Sequence, residues 1–163
     1  MTYIRRYGER HEVFFAPSTR LRILHMSTRF ATFNALHDRQ YINLTTFRKN
    51  GNAVPTPVWF AQDMESGFLY VETDPKSGKI KRLLHTSRVT LTPCTALGRT
   101  TGEVTEGNAR QVQDTAEMFR ARGALHRKYG LKRQLFNFAL DLFTLIRHHT
   151  KFTHTYVAIE PPT

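Results

Sequence analysis

The stretch YINLTTFRKNGNAVPTPVWFA, residues 41–61, decides the fold. Its first seven residues alternate in character and are rich in β-branched and aromatic side chains, the period-two signature of a strand. Asn50-Gly51 follows, the pair that most readily adopts the positive φ angles of a tight hairpin turn. Ala53–Ala61 is then the returning strand. Pro55 and Pro57 share one of its faces and cannot donate ladder hydrogen bonds. That side is therefore an edge, a bulge or a surface facing a ligand.

Working outward, Asp63–Gly67 reads as the next turn and Phe68–Thr73 as a third strand. Val89–Cys94 is a fourth, Thr101–Val112 a long fifth, and Thr155–Ile159 a sixth, closed by Pro161-Pro162. Before the hairpin, Thr28 can cap a short helix to about Leu36, with Phe30, Phe33 and Leu36 three apart on one stripe. Between the last two strands, Asp114 and Glu117 have capping-box spacing, and Met118, Ala121, Leu125 and Tyr129 hold one helical face up to Gly130. Leu131–His149 is apolar almost all round, which predicts burial on more than one side, the second partner being another subunit. Six short strands joined by hairpin-length turns predict an α+β chain, mainly β: an antiparallel barrel with peripheral helices. Residues 1–27 read as an N-terminal arm and 28–163 as the barrel domain.

A chain of 163 residues fits one domain of this kind. Lys and Arg number 24 against 13 Asp and Glu, a net charge of +11. Such a surface attracts polyanions: nucleic acid, anionic lipid or phosphorylated small ligands. Cys94 is the single cysteine, which excludes an intramolecular disulfide framework and a multi-cysteine metal knot. The longest apolar run, Leu135–Ile146, is too short and too polar to span a bilayer. No charged-then-apolar leader opens the chain, so the expectation is a soluble cytoplasmic protein with no membrane partner.

The connection between the third and fourth strands, TDPKSGKIKRLL (73–84), carries the chemistry. A strand ends at Thr73, and Ser77-Gly78 can open a helix near Lys79. Free N–H groups in its first turn would favour an anion. Lys79 and Arg82 are three apart, share a helical face and can converge on one phosphate. Lys76 and Lys81 add charge nearby, and Thr73 can add a hydroxyl. Standing alone, such a segment also reads as a solvated basic turn. The spacing is not that of a Walker loop, and no GxGxxG fingerprint is present.

Other groupings point elsewhere. His148, His149 and His154 lack an HExxH or HxH pattern, so they read as exposed histidines rather than a metal site. Cys94 reads as a small buried hydrophobe. Trp59 reads equally as core or as a platform for a ring. Tyr41, Phe47, Arg48 and Lys49 interleave aromatic and basic residues as a nucleic-acid-binding barrel would. Against that reading, the basic residues are spread over arm, turn and helices instead of striped along one face.

TTFRKNGNAVPTPVWF (45–60), YVET (70–73), SGKIKRL (77–83), VTLTPC (89–94) and GNARQV (107–112), with Lys128-Tyr129-Gly130, together resemble the flavin- and deazaflavin-binding split-barrel oxidoreductases. These are the proteins grouped with pyridoxamine 5'-phosphate oxidase, and the resemblance is to the deazaflavin (F420)-dependent branch. It runs from about Tyr41 to Ile159. It implies a six-stranded antiparallel split β-barrel of the FMN-binding type, a homodimer with cofactors at the subunit interface, and hydride transfer to or from a small-molecule substrate. It further implies FMN or F420 as cofactor, with Ser77, Lys79, Lys81 and Arg82 at the phosphate and Thr73 at the strand end. Pro57, Val58 and Trp59 would form the strand passing the ring. Where relatives carry acid-Arg-Arg-Gly after the Pro-Cys, this chain has Thr95-Ala96-Leu97-Gly98-Arg99, which leaves Arg99 as a candidate contact on an altered substrate side. No catalytic side chain is implied, because the ring carries the hydride chemistry. A flavin- or haem-storage or sensor protein without turnover is the alternative within the same fold.

Overall fold

Strands β1 (Tyr41–Phe47) and β2 (Ala53–Trp59) pair antiparallel across the expected hairpin, with Gly51 at φ +82° in its turn. Alternate pairs of an antiparallel ladder are hydrogen-bonded. Pro55 and Pro57 face Thr45 and Asn43 in an uninterrupted register. Their missing N–H groups therefore belong on the side away from β1. That side is free, because β2 is the outermost strand of its sheet.

The computed structural model describes residues 27–130 and 153–162. A helix over 27–33 (α1) runs into a 3-10 turn, Asn34–Leu36, before β1. After β2 come β3 (Ala61–Gln62), β4 (Leu69–Thr73), the short helix α2 (Gly78–Leu83), β5 (Arg88–Cys94) and β6 (Thr105–Gln111). A helix over 115–130 (α3) and β7 (Thr155–Glu160) complete the described fold. The strands form one sheet in the order β2-β1-β5-β6-β7-β4-β3, with every pairing antiparallel.

β2 and β3 sit at opposite ends of that order, yet only Phe60 separates them in the chain. A flat sheet cannot satisfy this. The sheet must curl until its two edges meet, which is the predicted barrel. The strand count is seven instead of six, because the expected strand 53–61 breaks at Phe60, where the chain passes from one edge to the other. The expected strand 101–112 likewise begins only at Thr105. Residues 101–104 fold back on β5 instead, through Thr101 N–H to the Pro93 carbonyl at 2.7 Å.

Alternation along the strands separates two cores. Ile42, Leu44, Val58, Phe60, Val71, Val89, Leu91 and Ile159 fill the barrel. Tyr70, Tyr156 and Ala158 point outward and are covered by Ala121, Leu125 and Tyr129 of α3. Asp114 caps α3 as expected, accepting the Glu117 N–H at 2.7 Å. The other half of the capping box is replaced. Glu117 turns inward, where Arg110 grips it with two hydrogen bonds of 2.8 and 2.9 Å and the Tyr70 hydroxyl donates a third. A bidentate guanidinium is a stronger partner for a buried carboxylate than one amide. The expected helix Leu131–His149 and the arm, apart from Ser27, lie outside the described residues.

Phe60 is the corner of the barrel, and its backbone belongs to neither ladder. Tyr129 supplies what the ladders do not. Its hydroxyl accepts the Phe60 N–H at 3.1 Å and lies 2.8 Å from the Phe60 carbonyl and 2.7 Å from that of Gln40. Burial pushes the Tyr129 phenol up to about 12. Burial, with Glu117 beside it, does the same for Tyr70. Both rings hold their protons in the fold beyond the pH at which an unfolded chain would lose them. Stability therefore falls as pH rises from about 10 to 12. Tyr129→Phe, leaving the corner amide unpaired, is expected to cost about 1–3 kcal/mol. It also flattens that alkaline loss, and melting temperature measured against pH checks both effects.

Candidate functional site

α2 lies across one end of the barrel, placed there by Ile80, which is buried in the barrel core with Leu83 packed behind it. Pointing Ile80 inward turns Lys79 and Arg82 toward the barrel rim and leaves Lys81 exposed. The chain enters α2 through a turn in which Asp74 receives the Lys76 and Ser77 amides. Ser77 takes the N-cap position but its side chain makes no cap bond. Its hydroxyl meets that of Thr73 at 3.2 Å, and the Lys79 ammonium donates to the same Thr73 oxygen at 2.9 Å. Thr73, Ser77 and Lys79 are thus one bonded group at the end of β4.

Arg82 is held from a different strand. Its Nε donates to the Thr46 hydroxyl of β1 at 2.7 Å, across 36 residues of sequence. The guanidinium folds back over the first turn of α2, where Gly78 makes room. A Cβ on Gly78 would lie 2.8 Å from one of its terminal nitrogens. Burial lowers the Lys79 pKa and the neighbouring Arg82 lowers it further. Burial also lowers that of Arg82, with Arg48 contributing. No carboxylate pairs with Lys79 or Arg82 among the described residues. Asp74 lies close enough to raise the Lys79 pKa somewhat but forms no ion pair with it, so two adjacent, half-buried cations remain open to an anion.

Of the other expected site residues, Val58 faces into the barrel core. Pro57 is exposed on the outer face of β2, and Trp59 stacks on Tyr129 with ring centres 5.0 Å apart. The free edge of β2 offers carbonyl oxygens at Pro55 and Pro57 and no N–H there. It can accept hydrogen bonds from a polar ring and cannot pair with another strand at those positions. Arg99 is exposed in the turn after β5, at the opposite end of that strand from α2. The fold does not bring it to Lys79 and Arg82. Its turn is tied to β2 instead. Asn43 donates to the Gly98 carbonyl at 2.7 Å, and Gly98, at φ +83°, packs against Pro57. The Asn43 Oδ1 beside it is buried and accepts no hydrogen bond among the described residues.

A family model described as pyridoxamine 5'-phosphate oxidase matches residues 30–147. The chain belongs to the pyridoxamine 5'-phosphate oxidase family. Solved structures share the family fold at low identity. A candidate pyridoxamine 5'-phosphate oxidase from Listeria innocua is 11% identical with a TM-score of 0.51, over 85% of this chain and 94% of the other. A candidate 5-nitroimidazole antibiotic resistance protein from Bacteroides thetaiotaomicron is 13% identical with a TM-score of 0.54, over 82% and 79%. The heme storage protein HutZ of Vibrio cholerae is 12% identical with a TM-score of 0.52, over 77% and 84%. No curated protein sequence matches the chain.

Thr46 and Gly78 escaped the sequence reading. Alternation turns Thr46 inward with Ile42 and Leu44, but no local pattern marks which distant side chain it meets. Gly78 read only as a helix opener, whereas its missing Cβ also makes room for Arg82. Gly78→Ala is expected to displace Arg82 from Thr46 and to weaken inorganic phosphate binding severalfold with little change in melting temperature. Isothermal titration and thermal melts measure the two.

Among the described residues, no group of three or more metal-ligating side chains assembles, and no helix is long and apolar enough to cross a membrane.

Proposed function

We propose that this protein is a cofactor-dependent oxidoreductase. It binds FMN or F420 through a phosphate seated on Thr73, Ser77, Lys79 and Arg82, and works as a homodimer on a small molecule. The observation that carries this reading is the Lys79–Arg82 pair, half-buried and in no salt bridge among the described residues. Thr73 and Ser77 supply hydroxyls within the same group, and Thr46 fixes the Arg82 fork. The donor set suits a phosphate: one ammonium, one planar guanidinium and two hydroxyls. The acceptor edge of β2, with Trp59 backed by Tyr129, suits a polar heterocycle laid along Pro57 and Val58.

A flavin or deazaflavin ring, when bound, supplies the hydride chemistry. The chain's own residues neutralise the phosphate, orient the ring and shape the substrate side. No side chain is assigned to the reacting atoms. Family membership and the fold support flavin-type binding in general, while the choice of F420 over FMN rests on the sequence resemblance and the net charge of +11.

Changing Lys79 and Arg82 together to Ala is expected to weaken FMN binding by about 3–5 kcal/mol, the loss of two charged contacts. Riboflavin, which lacks the phosphate, should bind both proteins alike. Equal FMN affinity in fluorescence titration removes the assignment. A phosphate also offsets the burial and the Arg82 repulsion that lower the Lys79 pKa, so binding in alkaline buffer should draw a proton onto Lys79. Titration calorimetry in buffers of different ionisation enthalpy reads that uptake. A storage or sensor protein would bind in the same way and fail to pass hydride to any acceptor offered to the reduced complex.

A further inference from the structure

Lys128 stands in the last described turn of α3, one residue before Tyr129. The residue is exposed, yet its ammonium is turned onto the barrel corner and lies 3.7 Å from the centre of the fully buried Phe60 ring. The centre of the Tyr129 ring is 5.7 Å away. This inverts the usual arrangement, in which a lysine lays its stem on apolar surface and keeps its head in water. No carboxylate pairs with the ammonium among the described residues. Arg127 beside it is turned to Asp63 instead. Asp38, ahead of β1, is near enough to favour the protonated form but makes no ion pair with Lys128. The Tyr129 phenol keeps its proton to about 12 and brings no charge. An aromatic face returns only part of the solvation that an ammonium loses on burial. Burial therefore prevails over Asp38, and the Lys128 pKa falls to about 8.

We propose that Lys128 is an acylation site: its amine takes an acyl group from an acyl phosphate or a thioester, and the modification loosens the corner of the barrel. The lone pair of the neutral amine attacks the acyl carbon. A C–N bond forms and the C–O bond to phosphate, or the C–S bond to the thiol, breaks. The leaving group departs with the electron pair, and the amine proton passes to water. The amide that results is bulkier than the ammonium and carries no charge for the ring face to attract, so the side chain leaves Phe60. Tyr129, the next residue, closes the corner at Phe60 and stacks on Trp59, the only tryptophan of the chain. A disturbance at Lys128 is therefore read in the emission of Trp59.

The protein is treated with acetyl phosphate and, separately, with acetyl coenzyme A, and the acetylation rate of each lysine is followed by peptide mass spectrometry. The exposed Lys76 and Lys81 serve as internal standards. At about pH 7.5 an amine with the Lys128 pKa is about a quarter neutral, against about a thousandth for an ordinary lysine. Lower basicity offsets part of that advantage, so Lys128 should react at least about tenfold faster than either standard, with a rate that levels off above about pH 8. Trp59 emission should shift as Lys128 is modified. It should stay constant in Lys128→Arg under the same treatment, because arginine keeps the charge and resists acylation. Fast reaction with acetyl phosphate alone identifies acyl phosphates as the donors, with acetyl coenzyme A alone thioesters, and with both an activated acyl group of either kind. The proposal is overturned if Lys128 reacts no faster than Lys76 and Lys81 with both donors, or if its acetylation leaves Trp59 emission unchanged.

Discussion

Closing a seven-stranded sheet through a single residue leaves that residue's amide outside both ladders. Phe60 is that residue, and an unpaired amide in a buried corner is costly. The Tyr129 phenol, delivered by the last described turn of α3, accepts its N–H and has its single proton within reach of the Phe60 and Gln40 carbonyls. The same side chain stacks on Trp59, and the Lys128 ammonium next to it lies 3.7 Å from the centre of the Phe60 ring. One helix end thus secures the seam, orients the aromatic that ends β2, and fixes where the free edge of β2 begins.

That closure has a consequence at the far rim. With the barrel shut, its end is covered by α2, and the buried Ile80 sets the rotation of the helix. Lys79 and Arg82 then face Thr73 and Thr46, on strands that reach the rim from different parts of the sheet. The two hydroxyls hold the cations in place without neutralising them. An ion pair at either position would occupy the cation. Hydroxyl partners leave the positive charge available to an anion. Arg110, Arg29 and Arg127 are paired instead with carboxylates, of Glu117, Glu160 and Asp63.

Much of this was legible in the residues themselves. The Asn50-Gly51 hairpin, the prolines of an edge strand, the Asp114 cap and the i,i+3 cations of α2 all follow from local rules, because each depends on backbone angles or on spacing within one element. The break at Phe60 did not show. Residues 53–61 read as a continuous strand, and only the meeting of two sheet edges forces a corner there. The capping box was half right for the same reason: Asp114 acts on its own helix, while Glu117 answers to Arg110 and Tyr70, and Tyr70 is 47 residues away. Arg99, a candidate for the substrate side, stands at the end of β5 away from α2, the end where Pro57 and Trp59 also lie.

The sequence by itself determined the class of fold, the hairpin that starts it and the cationic turn, since period, turn chemistry and charge are properties of neighbours along the chain. The tertiary structure alone decided which cations are held together and what holds them. Those depend on Thr46 meeting Arg82 and on Gly78 leaving room for it, contacts between side chains that only the curled sheet brings within reach.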